Sequence, residues 1–166
     1  NELNVTKLNA TLFNKHAIAL SKAAFDVVTS SAIFDISKKY LGSEPILKCS
    51  RSYAISKFHH AFSWHSDNKS PIDSVTDNSK GLVFILYCED DLEGTFSLSI
   101  KSWNPYNNKK DLPTLKQLKD WEEKGFVKQI KAKKGDLLGF SQDIFHRHIT
   151  KNANLVKAFW FQIISV

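Results

Sequence analysis

Five of the six histidines fall in two short segments of the chain, residues 59–65 and residues 146–148. In the first segment His65 is followed two residues later by Asp67, and residues i and i+2 of a strand point to the same face. An imidazole and a carboxylate at this spacing can bind one metal ion side by side. A second imidazole, from His146 on a distant strand, would complete a set of three ligands that leaves open positions on an octahedral ion. Such a set is typical of non-haem Fe(II) oxygenases, whose open positions take a 2-oxoacid and oxygen.

These assignments have alternatives. The His-x-Asp pattern is short, and a turn in which Asp67 is hydrogen-bonded would have the same sequence. His148 competes with His146 for the role of the distant ligand. The residues alone do not decide between the two. Two further histidines are expected to lie in a polar loop at the mouth of a barrel, or to line a substrate entrance: His59 and His60.

Lys157 lies in a segment, residues 155–164, that is apolar on both faces apart from Lys157 itself and Gln162. A strand that is apolar on both faces is usually interior, so we expect the Lys157 side chain to be at least partly enclosed. A buried ammonium group is costly without an anionic partner. That partner is either the carboxylate of a ligand or a nearby Asp or Glu, unless the side chain extends to the surface.

The elements that must position these residues follow from the hydrophobic pattern. Residues 12–41 read as helical, with Gly42 as a stop and a division at Ser30-Ser31. Thr114 and Gly125 bound a short helix between them. A helical N-terminus followed by many short strands predicts a mainly β fold, a sandwich or a barrel. The predicted strands cover residues 45–58, 81–88, 95–100, 126–130, 136–140 and 155–166.

Several motifs occur in order along the chain: WHSD at 64–67, GLVFILYC at 81–88, the turn with Gly94, GDLL at 135–138 and FHR at 145–147. Together they resemble those of the phytanoyl-CoA dioxygenase family, which includes ectoine hydroxylase. The first iron ligands of that family lie in a Trp-His-x-Asp-like segment, and its second histidine follows a Gly-Asp-x-Leu-x-Phe strand and often precedes an Arg. A further Arg, about eleven residues beyond that histidine, binds the far carboxylate of 2-oxoglutarate. The match covers roughly residues 45–166.

The resemblance implies a fold, a reaction and a set of ligands. The fold is a double-stranded β-helix (a cupin-like jelly roll), and the reaction is the hydroxylation of a small molecule with 2-oxoglutarate as co-substrate. His65, Asp67 and His146 would hold Fe(II) as metal ligands and catalytic residues, and Lys157 would hold 2-oxoglutarate. Lys157 departs from the family's Arg, because an ammonium group cannot form a planar bidentate fork. Residues 100–103 also depart, since they replace a Pro-Gly-Ser-His-like segment.

Length and composition limit the wider interpretation. The 166 residues suit one domain, with a helical part at 1–42, a jelly-roll core at 45–166 and a helical insertion near 114–124. The net charge is +6, but the lysines are scattered, which favours a solvated surface over a nucleic-acid site and leaves an anionic small molecule as substrate. No apolar stretch is long enough to cross a membrane. The two cysteines form no CxxC pair, so we expect two buried thiols and a cytoplasmic location.

Three other functions remain open at this level. The chain could be a non-catalytic jelly-roll protein that keeps the metal ligands, since Lys157 and residues 100–103 depart from the family. It could be a cupin-like metal protein, such as an isomerase, that does not use 2-oxoglutarate. A nucleic-acid-binding module is supported only by the +6 charge, and it would bind with strong salt dependence.

Overall fold

The computed structural model of the protein describes residues 11–14, 16–55, 64–67, 80–99, 114–148 and 156–165. Four helices and eight strands are formed within these ranges. The helices are α1 (Ala17–Leu20), α2 (Lys22–Val28), α3 (Ser31–Leu41) and α4 (Leu115–Glu123). The strands are β1 (Thr11–Asn14), β2 (Ile46–Ile55), β3 (Gly81–Tyr87), β4 (Asp91–Ser99), β5 (Val127–Ala132), β6 (Leu137–Ser141), β7 (His146–His148) and β8 (Val156–Ile164).

The strands form two antiparallel sheets. The larger sheet has the order β1-β2-β8-β3-β6, and the smaller sheet has the order β5-β4-β7. An apolar layer joins them, because buried residues of both sheets belong to one cluster. Two sheets packed face to face, each with alternating inward residues, form a β-sandwich. The prediction of a mainly β fold with N-terminal helices is therefore confirmed. The buried members of this layer are Tyr53, Val83, Ile85, Tyr87, Phe96, Ala132, Phe140, Ala158 and Trp160.

The N-terminal helices cover the outer face of the larger sheet. Ile33 of α3 belongs to a second apolar cluster, which also contains Phe84, Phe159 and Phe161 of the sheet. Strand β8 is therefore covered on one face by the smaller sheet and on the other by helices. This explains why the sequence of β8 is apolar on both faces and confirms that the strand is interior.

The boundaries of the N-terminal helices largely follow the sequence. Ser30 caps α3 by accepting a hydrogen bond from the backbone of Ile33, so the predicted division at Ser30-Ser31 is confirmed. Gly42 ends α3 in the left-handed conformation, with φ of 75°, which Gly adopts at little cost. The prediction that the helical stretch extends back to residue 12 is wrong. Residues Thr11–Asn14 form β1, because their backbone pairs with the otherwise open edge of β2.

Helix α4 also agrees with its sequence signals. Thr114 and Gln117 form a reciprocal capping box, which satisfies backbone donors at the start of the helix. The prediction of two buried thiols is wrong, because Cys49 and Cys88 are both free and exposed. Among the described residues, no helix has the length and apolar character needed to cross a membrane.

Candidate metal centre

Backbone hydrogen bonds bring the two histidine segments together. The N–H of His65 donates to the carbonyl oxygen of His146 over 3.0 Å, and the N–H of His146 donates back over 2.9 Å. The two residues thus form an isolated antiparallel bridge beside β7. One ligand atom from each of His65, Asp67 and His146 lies within 4.8 Å of the others. The structure therefore places the three residues in one cluster that a metal ion could occupy.

A buried glutamine fixes the position of Asp67. The backbone carbonyl of Gln142 accepts the N–H of Asp67 over 3.0 Å, and the Gln142 side-chain oxygen accepts from Gln162 over 2.7 Å. Gln142 is fully buried. A Cβ atom on Gly81 would lie 2.2 Å from the Gln142 oxygen, so this amide needs a glycine beside it. No sequence pattern indicates this role of Gln142, because the role depends on a long-range contact.

The donor atoms of the cluster suit a metal ion. The Asp67 Oδ2 atom is buried and has no hydrogen-bond donor among the described residues, although it lies 3.5 Å from His146 Nε2. His146 Nδ1 is 3.0 Å from the carbonyl oxygen of Ile144, which can only accept, so Nδ1 donates. The lone pair of Nε2 is then directed to the side of Asp67. A buried carboxylate oxygen without a donor, facing an imidazole lone pair, is chemically satisfied by a cation.

The protonation state of His146 also favours metal binding. Burial lowers the pKa of His146 to about 4, although the Asp67 carboxylate acts in the opposite direction. The imidazole is therefore neutral near pH 7. A metal ligand must be a neutral imidazole, so no proton has to leave before His146 can bind an ion.

We predict an acid-dependent loss of stability in the metal-free protein. The ordinary pKa of 6.5 applies to His146 in the unfolded chain, and about 4 applies in the folded chain. Between these pH values the unfolded state binds more protons, so the free energy of unfolding should fall as the pH falls, by up to about 3 kcal/mol. Urea unfolding of metal-free wild type and His146→Gln at several pH values measures this effect. Parallel curves for the two proteins would contradict the prediction.

Aromatic rings enclose the inner side of His146. Its ring centroid lies 5.0 Å from that of Phe140 and 5.4 Å from that of Phe96. His148 points to the same interior face, but its Nε2 lies 3.3 Å from the hydroxyl of Tyr53, and His148 is not part of the cluster. Of the two candidates for the distant ligand, the structure places His146 with His65 and Asp67.

Arg147 links the ligand segments on the opposite face of β7. Its guanidinium lies 4.7 Å from the ring centroid of Trp64, the residue before His65, and forms an ion pair with Glu122 of α4. One side chain therefore connects residues 64–67, β7 and α4. The sequence identified both Trp64 and Arg147 as motif residues, but their contact could not be predicted from it.

Lys157 lies outside this site. Its side chain is 52% exposed and forms an ion pair of 2.6 Å with Glu89. The next residue of β8, Ala158, belongs to the layer between the sheets, so Lys157 points to the other face. The prediction that Lys157 is enclosed is wrong, and its expected role in holding 2-oxoglutarate stays a prediction. His59, His60 and residues 100–103 lie outside the described residues.

Comparisons with known proteins show relationships at the level of structure. No protein-family model matches the chain, and no curated protein matches it by sequence. EctD from S. alaskensis, solved with bound Fe, aligns with a TM-score of 0.69 and 15% identity, over 93% of this chain and 56% of EctD. HygX from Streptomyces hygroscopicus, solved with nickel, 2-oxoglutarate and hygromycin B, aligns with a TM-score of 0.69 and 12% identity, over 94% of this chain and 70% of HygX. SnoN, a non-haem α-ketoglutarate-dependent epimerase from nogalamycin biosynthesis, aligns with a TM-score of 0.66 and 12% identity, over 92% of this chain and 62% of SnoN.

These similarities show the fold. The chain spans 56% of the length of EctD. Almost all of this chain aligns, so the similarity extends over the fold as a whole. The resemblance that the motif order suggests is confirmed at the level of fold, and the predicted jelly roll is the fold that this chain shares with EctD, SnoN and HygX.

Proposed function

We propose that the protein is an Fe(II)- and 2-oxoglutarate-dependent dioxygenase that hydroxylates a small-molecule substrate. The observation that carries the proposal is the cluster of His65, Asp67 and His146, whose ligand atoms lie within 4.8 Å of one another. Two histidines and one carboxylate on a jelly roll are the ligand set of non-haem Fe(II) oxygenases. The Fe bound to EctD and the 2-oxoglutarate bound to HygX support the same assignment.

In this mechanism the protein supplies metal ligands and an apolar wall that excludes water. Iron together with 2-oxoglutarate supplies the oxidising chemistry when both are bound. The Ile144 carbonyl holds the proton of His146 on Nδ1, which keeps Nε2 available as a ligand. The bond from the Asp67 N–H to Gln142 holds the carboxylate segment against β7. Phe96 and Phe140 exclude water from the inner side of the site, which protects reactive species from side reactions.

The substrate is part of the proposal. An excess of basic over acidic residues, with a net charge of +6, favours an anionic small molecule. Hydroxylation is the reaction that the motif resemblance implies. SnoN, an epimerase with this fold, shows that a different outcome at the substrate carbon is compatible with the architecture. Cys49 and Cys88 are both free thiols, which agrees with the proposed cytoplasmic location.

A second candidate function is a cupin-like metal protein that does not use 2-oxoglutarate. The outward position of Lys157 favours it, because the predicted anchor for the co-substrate is exposed and paired with Glu89. The two candidates make the same prediction for metal binding and opposite predictions for 2-oxoglutarate.

An anaerobic titration of metal-free protein with Fe(II), followed by 2-oxoglutarate, tests the proposal. We expect one Fe(II) per chain, then binding of 2-oxoglutarate, and slow release of succinate on exposure to oxygen. His146→Ala should bind neither Fe(II) nor 2-oxoglutarate. Iron binding without 2-oxoglutarate binding would favour the cupin-like function. No Fe(II) binding by the wild type would overturn both candidates.

A further inference from the structure

The strands of the larger sheet are in register, so its inward residues form rows across the sheet. Tyr53 and Ala158 lie opposite each other and both belong to the layer between the sheets. Arg51 is two residues from Tyr53 on β2 and lies opposite Trp160, another residue of that layer. Residues that are two apart on a strand, or directly opposite across a pair, share a face. Arg51 therefore points into the space between the two sheets.

These rows give the position of Arg51 along the strands relative to the candidate metal centre. One row runs from Phe140 across Val83 and Gln162 to Cys49, and its Phe140 ring packs against His146.

A second row, four residues further along β2, contains Tyr53, whose hydroxyl contacts His148. The row of Arg51 and Trp160 lies between these two rows. Arg51 is thus placed on the facing sheet between the levels of His146 and His148.

Arg51 is also distinguished from the other cations by burial. Every Lys side chain among the described residues is exposed, and the two arginines in those ranges, Arg51 and Arg147, are partly buried. Arg147 faces away from the interior, toward Trp64 and Glu122. Arg51 is therefore the partly buried cation that faces the layer beside His146.

The contact between Arg51 and Trp160 leaves the guanidinium suited to an anion. The guanidinium carbon lies 4.1 Å from the centroid of the Trp160 ring. Stacking on an aromatic face uses the flat side of the guanidinium and orients its N–H donors outward in the plane. Those donors match a carboxylate in a bidentate arrangement, which an ammonium group cannot provide.

We propose that Arg51, stacked on Trp160, binds the distal carboxylate of the 2-oxoacid co-substrate, a role that the family resemblance implies for Lys157. The assignment rests on the proposed function and specifies which residue selects a dicarboxylic 2-oxoacid. The residue that binds the carboxylate lies on β2 rather than on β8, because the inward residues on this part of β8 are Ala158 and Trp160.

The test measures binding of two 2-oxoacids by calorimetry, without oxygen, to Fe(II)-loaded protein. 2-Oxoglutarate has the distal carboxylate, and pyruvate has the same 2-oxoacid end without it. Wild type, Arg51→Met, Arg51→Lys and Lys157→Met are compared, and each is first titrated with Fe(II) alone. Loss of charge-assisted hydrogen bonds should weaken 2-oxoglutarate binding to Arg51→Met by about 10- to 100-fold. Arg51→Lys should recover part of that loss, and Lys157→Met should stay within about twofold of wild type.

Fe(II) affinity and pyruvate affinity should be the same in Arg51→Met and wild type, which excludes a folding defect as the cause. Unchanged 2-oxoglutarate affinity in Arg51→Met, or a loss in Lys157→Met instead, overturns the assignment. An equal loss of pyruvate binding also overturns it, because the effect is then not on the distal carboxylate. Wild type that loads Fe(II) but binds no 2-oxoglutarate overturns the Arg51 assignment and leaves the metal centre standing. Wild type that binds no Fe(II) overturns the proposed function itself.

Discussion

Asp67→Asn should reduce the affinity for Fe(II) by more than about 100-fold, because the loss of a direct ligand exceeds the 10- to 100-fold effect of removing an outer partner. Asn keeps the shape of Asp and removes the charge. The substitution affects the buried Oδ2 atom, 3.5 Å from His146 Nε2, which becomes either an uncharged amide oxygen or an amide nitrogen. The backbone bond to Gln142 does not involve the side chain and should persist. Anaerobic titration of metal-free protein with Fe(II) measures the change.

Asp143→Asn is the matched control for this variant. Asp143 is also a half-buried acid close to β7, but it lies outside the cluster and its side chain is near Ser141. We expect its Fe(II) affinity to equal that of wild type, and both variants to unfold within about 1 kcal/mol of wild type in urea without metal. Equal Fe(II) affinity in Asp67→Asn and Asp143→Asn would refute the assignment of Asp67 as a ligand.

The proximity of His65 and Asp67 could be predicted because it depends mostly on local sequence. His65 and Asp67 are two residues apart, so any extended backbone places them together without knowledge of the fold. The bridge from His65 to His146, by contrast, is a tertiary contact. It could be expected only from the order of the motifs along the chain, which indicates the jelly roll.

Lys157 shows where sequence reasoning fails. Alternating apolar and polar residues indicate which face of a strand is inward, but β8 is apolar on both faces because helices cover one and the smaller sheet the other. The sequence therefore cannot distinguish the face of Lys157 and Phe159 from that of Ala158 and Trp160. A shift of one residue reverses the assignment. The register with β2 resolves the question, and it simultaneously places Arg51 inside.

The strands were predicted more reliably than the N-terminal segment for a similar physical reason. Buried strands such as β3 are continuous runs of apolar residues, rich in β-branched and aromatic types, and such runs directly indicate a buried strand. Residues Thr11–Asn14 have no such pattern, and they become a strand only because β2 offers an edge for pairing. A property of the partner strand, rather than of these four residues, decides their conformation.

Phe96→Ala should lower the free energy of unfolding by about 3 to 5 kcal/mol, as is usual when a fully buried Phe is truncated. The Phe96 side chain is 1% exposed and belongs to the layer between the sheets. Its ring also contacts three others, with centroid distances of 5.5 Å to Phe140, 5.4 Å to His146 and 4.6 Å to His148. The cavity should therefore also loosen His146, and we expect Fe(II) affinity to fall by about tenfold, the lower end of the effect of an outer partner. Urea unfolding of metal-free protein and Fe(II) titration measure the two effects separately.

Phe161→Ala separates the loss of stability from the loss of site geometry. Phe161 is as fully buried as Phe96, but its ring stacks on Phe84 on the outer face of the larger sheet, away from the histidines. We expect a comparable loss of stability, about 3 to 5 kcal/mol, with Fe(II) affinity unchanged in the fraction that remains folded. If both variants lost Fe(II) affinity equally, the loss would reflect global destabilisation, and the packing of Phe96 on His146 would have no specific role. A loss confined to Phe96→Ala would show that the layer between the sheets holds the ligand in place as well as stabilising the fold.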